Sequence, residues 1–169
     1  MKKYVIIAFV AVTGLFSMQS MAQSKVAHIN AQALIAAMPE AKKAETDLQT
    51  FAQSLEGEGK AMVDEYTTKM KDFDSKAATM TDNMKEIKGR EIQDLQKRIQ
   101  DYRDAAEQKV QGKQAELLKP IYDKARKAIE DVAKEKGYGY VIDNSSNLLL
   151  VSPASDDILP AVKAKLGIK

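Results

Sequence analysis

The chain has 169 residues with no cysteine and one histidine, and its 26 basic and 24 acidic residues leave a net charge of +2. That composition excludes a disulfide scaffold, Cys/His metal sites and a histidine-based catalytic triad. The near-balance of charge also excludes the one-sided basic excess of a nucleic-acid binder.

The first residues read MKKYVIIAFVAVTGLFSMQSMAQS: Lys2 and Lys3, an apolar run from Tyr4 to Phe16, then Ser20-Met21-Ala22. A basic start, an apolar run too short to span a bilayer comfortably, and small residues at −3 and −1 describe a signal peptide over 1–22, cut after Ala22. Loss of Lys2 and Lys3 leaves 26 − 2 = 24 basic against 24 acidic residues, a net charge of zero. Contact with an anionic membrane surface is therefore not indicated by charge. Export without disulfides, behind a signal of this style, points to a bacterial periplasm.

KVAHIN, residues 25–30, alternates apolar and polar and predicts a short strand. Val26 and His28 lie on one face, Ala27 and Ile29 on the other. AQALIAAMPE follows as one or two helical turns, and Pro39 is placed to start a new helix.

From Glu40 to Leu118 there is no proline and no strand pattern. Apolar residues recur every three or four positions, at Ala44, Leu48, Ala52, Leu55, Met62, Tyr66, Met70 and Phe73, then at Ile92, Leu95, Ile99, Tyr102, Ala106, Val110 and Leu117. The period is that of an amphipathic, coiled-coil-like helix. Thr81 and Asp82 are good N-caps, so the pattern divides into two helices that reverse near 79–83. Folding there sets Ala44 against Leu117, Met62 against Ile99, Gly59 against Tyr102 and Phe73 against Gly89, large facing small at both glycines.

Pro120 marks a kink or a fresh helix start. The helical pattern continues through Ile121, Ala125, Ile129 and Val132, and Gly137 is its stop. YGYVIDNSSNLLLVSP predicts two strands, 138–143 and 147–152, around an Asn144-Ser145-Ser146 turn. DDILPAVKAKLG predicts a closing helix with Asp156 and Asp157 at its positive end. A lone hairpin is marginal in water. Even with KVAHIN as a third strand the core is small, so the expectation is an oligomer that shares it.

This order of elements, and above all AIEDVAKEKGYGYVIDNSSNLLLVSPASDDILPAVKAKL, resembles the Skp/OmpH family of periplasmic chaperones over essentially the whole exported chain. The resemblance implies an α+β, mainly α fold. A long antiparallel helical hairpin, residues 40–118, forms a tentacle on a small β-sheet body of residues 23–39 and 119–169. Three chains assemble as a jellyfish-shaped homotrimer whose tentacles enclose a cavity. The implied function is that of an ATP-independent holdase, which binds unfolded outer-membrane β-barrel proteins and prevents their aggregation in transit, without cofactor or metal. Better-known members are strongly basic, whereas this exported chain is neutral.

On that reading Val26, Ile29, Val141, Ile142, Leu148 and Leu150 belong to the oligomer body. Tyr66, Met70, Phe73, Met80, Met84 and Ile87 are the candidate client contacts, since methionine adapts to many apolar partners. Met62 and Met70 fall in the seam between the helices, where filling space is the plainer role. Met80 and Met84, near the tip, have fewer partners. His28 reads as a packed or half-exposed strand residue, Asp64-Glu65 as a solvated face, and Gly57-x-Gly59 lacks the strand that a phosphate loop requires. The alternative is a structural coiled-coil protein of the envelope with one fixed partner, which predicts the same helices and no effect on unfolded chains.

Overall fold

The computed structural model describes residues 24–168. The signal peptide read at 1–22 and its cleavage after Ala22 lie outside the described residues.

Strand β1 (Lys25–Ile29) leads through Asn30 into α1 (Ala31–Ala37). The Asn30 side chain accepts the Ala33 N–H at 2.8 Å, giving a partner to a first-turn donor that has none inside the helix. Extended Met38 ends α1, and Pro39 opens α2 (Pro39–Lys76), where a missing N–H is no loss. Helix α2 has 38 residues, a length of about 57 Å. One tight turn at Ala77–Thr79 ends it, and extended Met80 and Thr81 reverse the chain. Thr81 Oγ1 then accepts the Met84 N–H at 3.3 Å, capping α3 (Asp82–Lys136) where the N-cap residues predicted it.

Helix α3 has 55 residues and continues unbroken through Pro120, so the helix does not start afresh there. Proline deprives the Glu116 carbonyl of its usual donor, but both residues are exposed and water can serve that carbonyl. Gly137 stops the helix in the left-handed region, φ 72°, with its N–H directed at the carbonyls of Ala133 and Lys134.

Strand β2 (Tyr138–Asp143) pairs in parallel with β1, Val26 beside Tyr140, Ala27 beside Val141 and His28 beside Ile142. The hairpin expected from the sequence does not form, and residues 147–152 carry no strand. A three-residue hairpin loop closes with its last residue in the left-handed region, a place that favours glycine. Ser146 occupies that place here, and the positive φ falls one residue later, at Asn147, 53°. The Asn144 N–H goes to the Ile29 carbonyl at 2.8 Å, and its side chain holds the Leu149 N–H at 3.0 Å. His28 Nε2 donates to the Pro153 carbonyl at 3.0 Å, and the Ile158 N–H reaches the His28 carbonyl at 3.1 Å. The chain is thus drawn to the β1 side of the sheet, away from β2.

Helix α4 (Leu159–Lys165) closes the fold, with Asp157 accepting the Leu159 N–H at 2.9 Å. Asp156 instead accepts the Tyr138 hydroxyl at 3.1 Å.

The core gathers at the base of the long hairpin. Ala27 and Ile29 meet Leu34 and Met38 from α1, Ile121, Ala125, Ala128 and Val132 from α3, and Ile158 and Val162 around α4. The arm has much less. Leu55, Ile92, Leu95 and Ile99 are buried in its seam, and outward from Leu55 and Ile92 no described side chain is. Ion pairs such as Lys60–Asp64 (2.7 Å) and Lys119–Asp123 (2.7 Å) lie within one helix. Exposed pairs of this kind contribute about 0.3–0.5 kcal/mol each and stiffen single helices without joining them. Among the described residues only Glu40–Lys124 and Glu135–Lys165 link different elements.

The antiparallel register holds at Gly59, where a Cβ would stand 3.4 Å from the Tyr102 ring. The Tyr102 hydroxyl lies 2.9 Å from the Leu55 carbonyl and 3.0 Å from a Glu58 carboxylate oxygen, sharing one proton between them. At Gly89 the expectation fails: nothing lies within 4 Å of a Cβ placed there, so Phe73 does not seat on it. Gly89 is turned away from the opposing helix.

Gly57 also faces open space, so Gly57→Ala should raise stability by about 0.5–1 kcal/mol through helix propensity. Gly59→Leu must displace Tyr102 and should lower it. Thermal denaturation checks the pair, and a loss from Gly57→Ala would contradict this packing.

Candidate functional site

Two apolar surfaces are left uncovered, one on the body and one along the arm. The parallel register decides the first, because paired residues of parallel strands share a face. Ala27, Ile29 and Val141 turn toward the helices and join the chain's own core. Val26, Tyr140 and Ile142 turn the other way and stay exposed, Tyr140 at 65%. Leu148, Leu150 and Val151, in the chain after β2, are exposed too, Leu150 at 99%. Of the six residues assigned to the oligomer body, Val26, Ile142, Leu148 and Leu150 are thus open, while Ile29 and Val141 are occupied internally. Tyr140 and Val151, outside those six, are open as well. The alternation within YGYVID carried the signal for Tyr140, since it shares the parity of Ile142.

A knot of hydrogen bonds fixes where this open segment leaves the body. The Asp143 carboxylate accepts the Ala31 N–H at 3.2 Å, the Ser145 N–H at 2.9 Å and the Ser145 hydroxyl. Ser145 Oγ in turn accepts the Gln32 N–H at 3.0 Å. These donors, the Ser145 hydroxyl foremost, hold the Asp143 carboxyl below its ordinary value.

The second surface is the arm. A groove of about 490 Å³ follows the seam at mid-arm, lined by Leu55, Gly59, Met62, Val63, Ile99 and Tyr102. Partial burial, and then the Glu58 carboxylate, push the Tyr102 phenol up from its ordinary value. Tyr66 lies in a neighbouring trough with Gln93, Gln96 and Gln100. Met70, Phe73 and Met80 are half-buried, whereas Met84 and Ile87 stand out from the first turns of α3, 47% and 46% exposed. The six candidate client contacts are therefore a line from mid-arm to tip and not a pocket. Among the described residues no group of three or more His, Cys, Asp or Glu gathers as metal ligands would, and no helix is long and apolar enough to cross a membrane. What the arm offers is adaptable apolar contact between ribbons of charge.

Residues 25–166 match the family described as outer membrane protein (OmpH-like). The chain belongs to the OmpH-like family. Among solved structures it is similar to a protein from Caulobacter crescentus described as an OmpH-like outer membrane chaperone. The two are 17% identical with a TM-score of 0.75, over 85% of this chain and 83% of the other, and so share the fold. No curated protein matches the sequence significantly.

The Asp143 knot gives the body an acid-sensitive element. A carboxylate whose folded pKa is depressed contributes stability above its unfolded value, ordinarily 3.8 here, and loses it as pH falls through the folded value. Asp143→Asn keeps an acceptor oxygen and cannot ionise. Urea midpoints of the variant should therefore fall less than those of the parent between pH 5 and pH 3, a range set by about one unit either side of a typical aspartate. Identical slopes would contradict the assignment.

Proposed function

We propose that the chain is a periplasmic holdase, which as a homotrimer takes up unfolded outer-membrane β-barrel proteins and shields them from aggregation without consuming ATP. Membership of the OmpH-like family supports a chaperone role. The observation that carries the finer reading is the asymmetry of the chain. A compact body carries an arm of about 57 Å that buries few side chains and leaves Met84 and Ile87 open near its tip. An arm with so thin a seam bends to its cargo, and many weak apolar contacts with flexible methionines suit a heterogeneous client.

On this reading residues 40–118 are the client-facing arm, and the remaining residues from 23 onward are the trimer body. The open face of Val26, Tyr140 and Ile142, with Leu148 and Leu150 beside it, is where copies meet. An uncovered apolar face next to an unpaired β2 edge is a liability for a lone chain, and two further copies remove it. Client release follows from competition or client folding. The structural coiled-coil alternative needs one fixed partner and gives the open tip no work.

The test is light scattering from an unfolded outer-membrane barrel diluted out of urea, with and without the exported chain and with no nucleotide. Near-stoichiometric trimer should suppress aggregation, and Met84→Ser with Ile87→Ser should weaken suppression several-fold at unchanged helicity. Undiminished aggregation would overturn the holdase and leave the structural coiled coil.

A further inference from the structure

The sequence contains no thiol, so in an oxidising compartment its thioethers are the groups that react first with two-electron oxidants. Their placement is uneven. Among the described residues Met38 lies in the body and is wholly buried, while Met62, Met70, Met80 and Met84 all lie on the arm or its tip. Met62, Met70 and Met80 are half-buried and Met84 is open. The core that maintains the fold is therefore closed to oxidant, and the surface that meets clients is not.

We propose that the tip methionines, Met84 and Met80, are a site of reversible oxidation by hypohalous acid that lowers the arm's capacity for unfolded chains. The inference rests on the holdase reading above. In the step, the thioether sulfur gives up an electron pair and gains one oxygen as sulfoxide; the halogen is reduced to halide and one proton is released. The product side chain is polar and accepts hydrogen bonds, where an apolar, polarisable one had stood.

Local geometry lets this happen without unfolding the arm. The bond that caps α3 uses the Met84 backbone N–H, which donates to Thr81 Oγ1, and the Met80 N–H is held by the Lys76 carbonyl at 3.1 Å. Neither bond involves the sulfur. Oxidation alters what the tip presents and leaves its turn in place, and a thiol-dependent methionine sulfoxide reductase reverses it.

The test treats the exported chain with limiting hypochlorite, follows each methionine by peptide mass spectrometry, and measures suppression of barrel aggregation on the same samples. Met84 should oxidise on the order of tenfold faster than Met38, with Met80 between them. Suppression should fall several-fold at constant helicity and return after reductase treatment, and in a Met80→Leu, Met84→Leu variant oxidant should lower it far less, each chain being compared with its own untreated level. Equal oxidation of Met38 would overturn the partition between body and arm. Full suppression by the oxidised chain, or equal loss in the leucine variant, would overturn the switch and leave the holdase reading intact. Absence of suppression before any oxidant would sink the holdase reading, and the switch with it.

Discussion

The parallel pairing of β1 with β2 is the contact on which the rest depends. It joins the chain just before the long hairpin to the chain just after it, and so clamps the base of α2 to that of α3. Everything fully packed lies around this clamp, from Leu34 and Met38 on one side to Val132 and Val162 on the other. A parallel pair needs a long crossover, and here the crossover is the whole hairpin. The arm is thus the connection between two short strands, grown far beyond what the connection requires.

From the clamp outward, cohesion falls off. The body holds the arm by a filled core and the Glu40–Lys124 pair. Mid-arm it is held by Leu55, Leu95, Ile99 and the Tyr102–Gly59 contact, and past Ile92 by half-buried side chains alone. Ion pairs do not compensate, since nearly all join residues one turn apart. The outer part of the arm, where fewest side chains are buried, is also the part with open Met84 and Ile87.

Much of this was legible in the sequence because the signals were local. Thr81 as N-cap, Gly137 as stop, Pro39 at a helix start and the three-four spacing of the arm each report on neighbours within a turn or two. The pairing of Gly59 with Tyr102 followed from the position of the tip. What failed was non-local. Residues 147–152 read as a strand from Leu148 to Val151, but a strand requires a partner edge, and this chain leads the segment away from β2 through Asn144 and His28. Phe73 and Gly89 have complementary sizes, yet Gly89 has nothing within 4 Å of a Cβ placed on it. Pro120 is tolerated because it faces water, which spacing alone did not reveal. Of the candidate site, the tip residues were read from composition, and Tyr140 was legible from its parity with Ile142, whereas which face of β2 stays open depended on the packing of the helices.

The proposed trimer requires that the open face of the body be an interface between copies. Sedimentation velocity of residues 23–169 tests it most directly. The predicted result is a species of three times the chain mass, reduced to single chains by Leu148→Asp with Leu150→Asp while the helical signal is kept. A monomeric parent chain, or a double variant that still assembles, would contradict it.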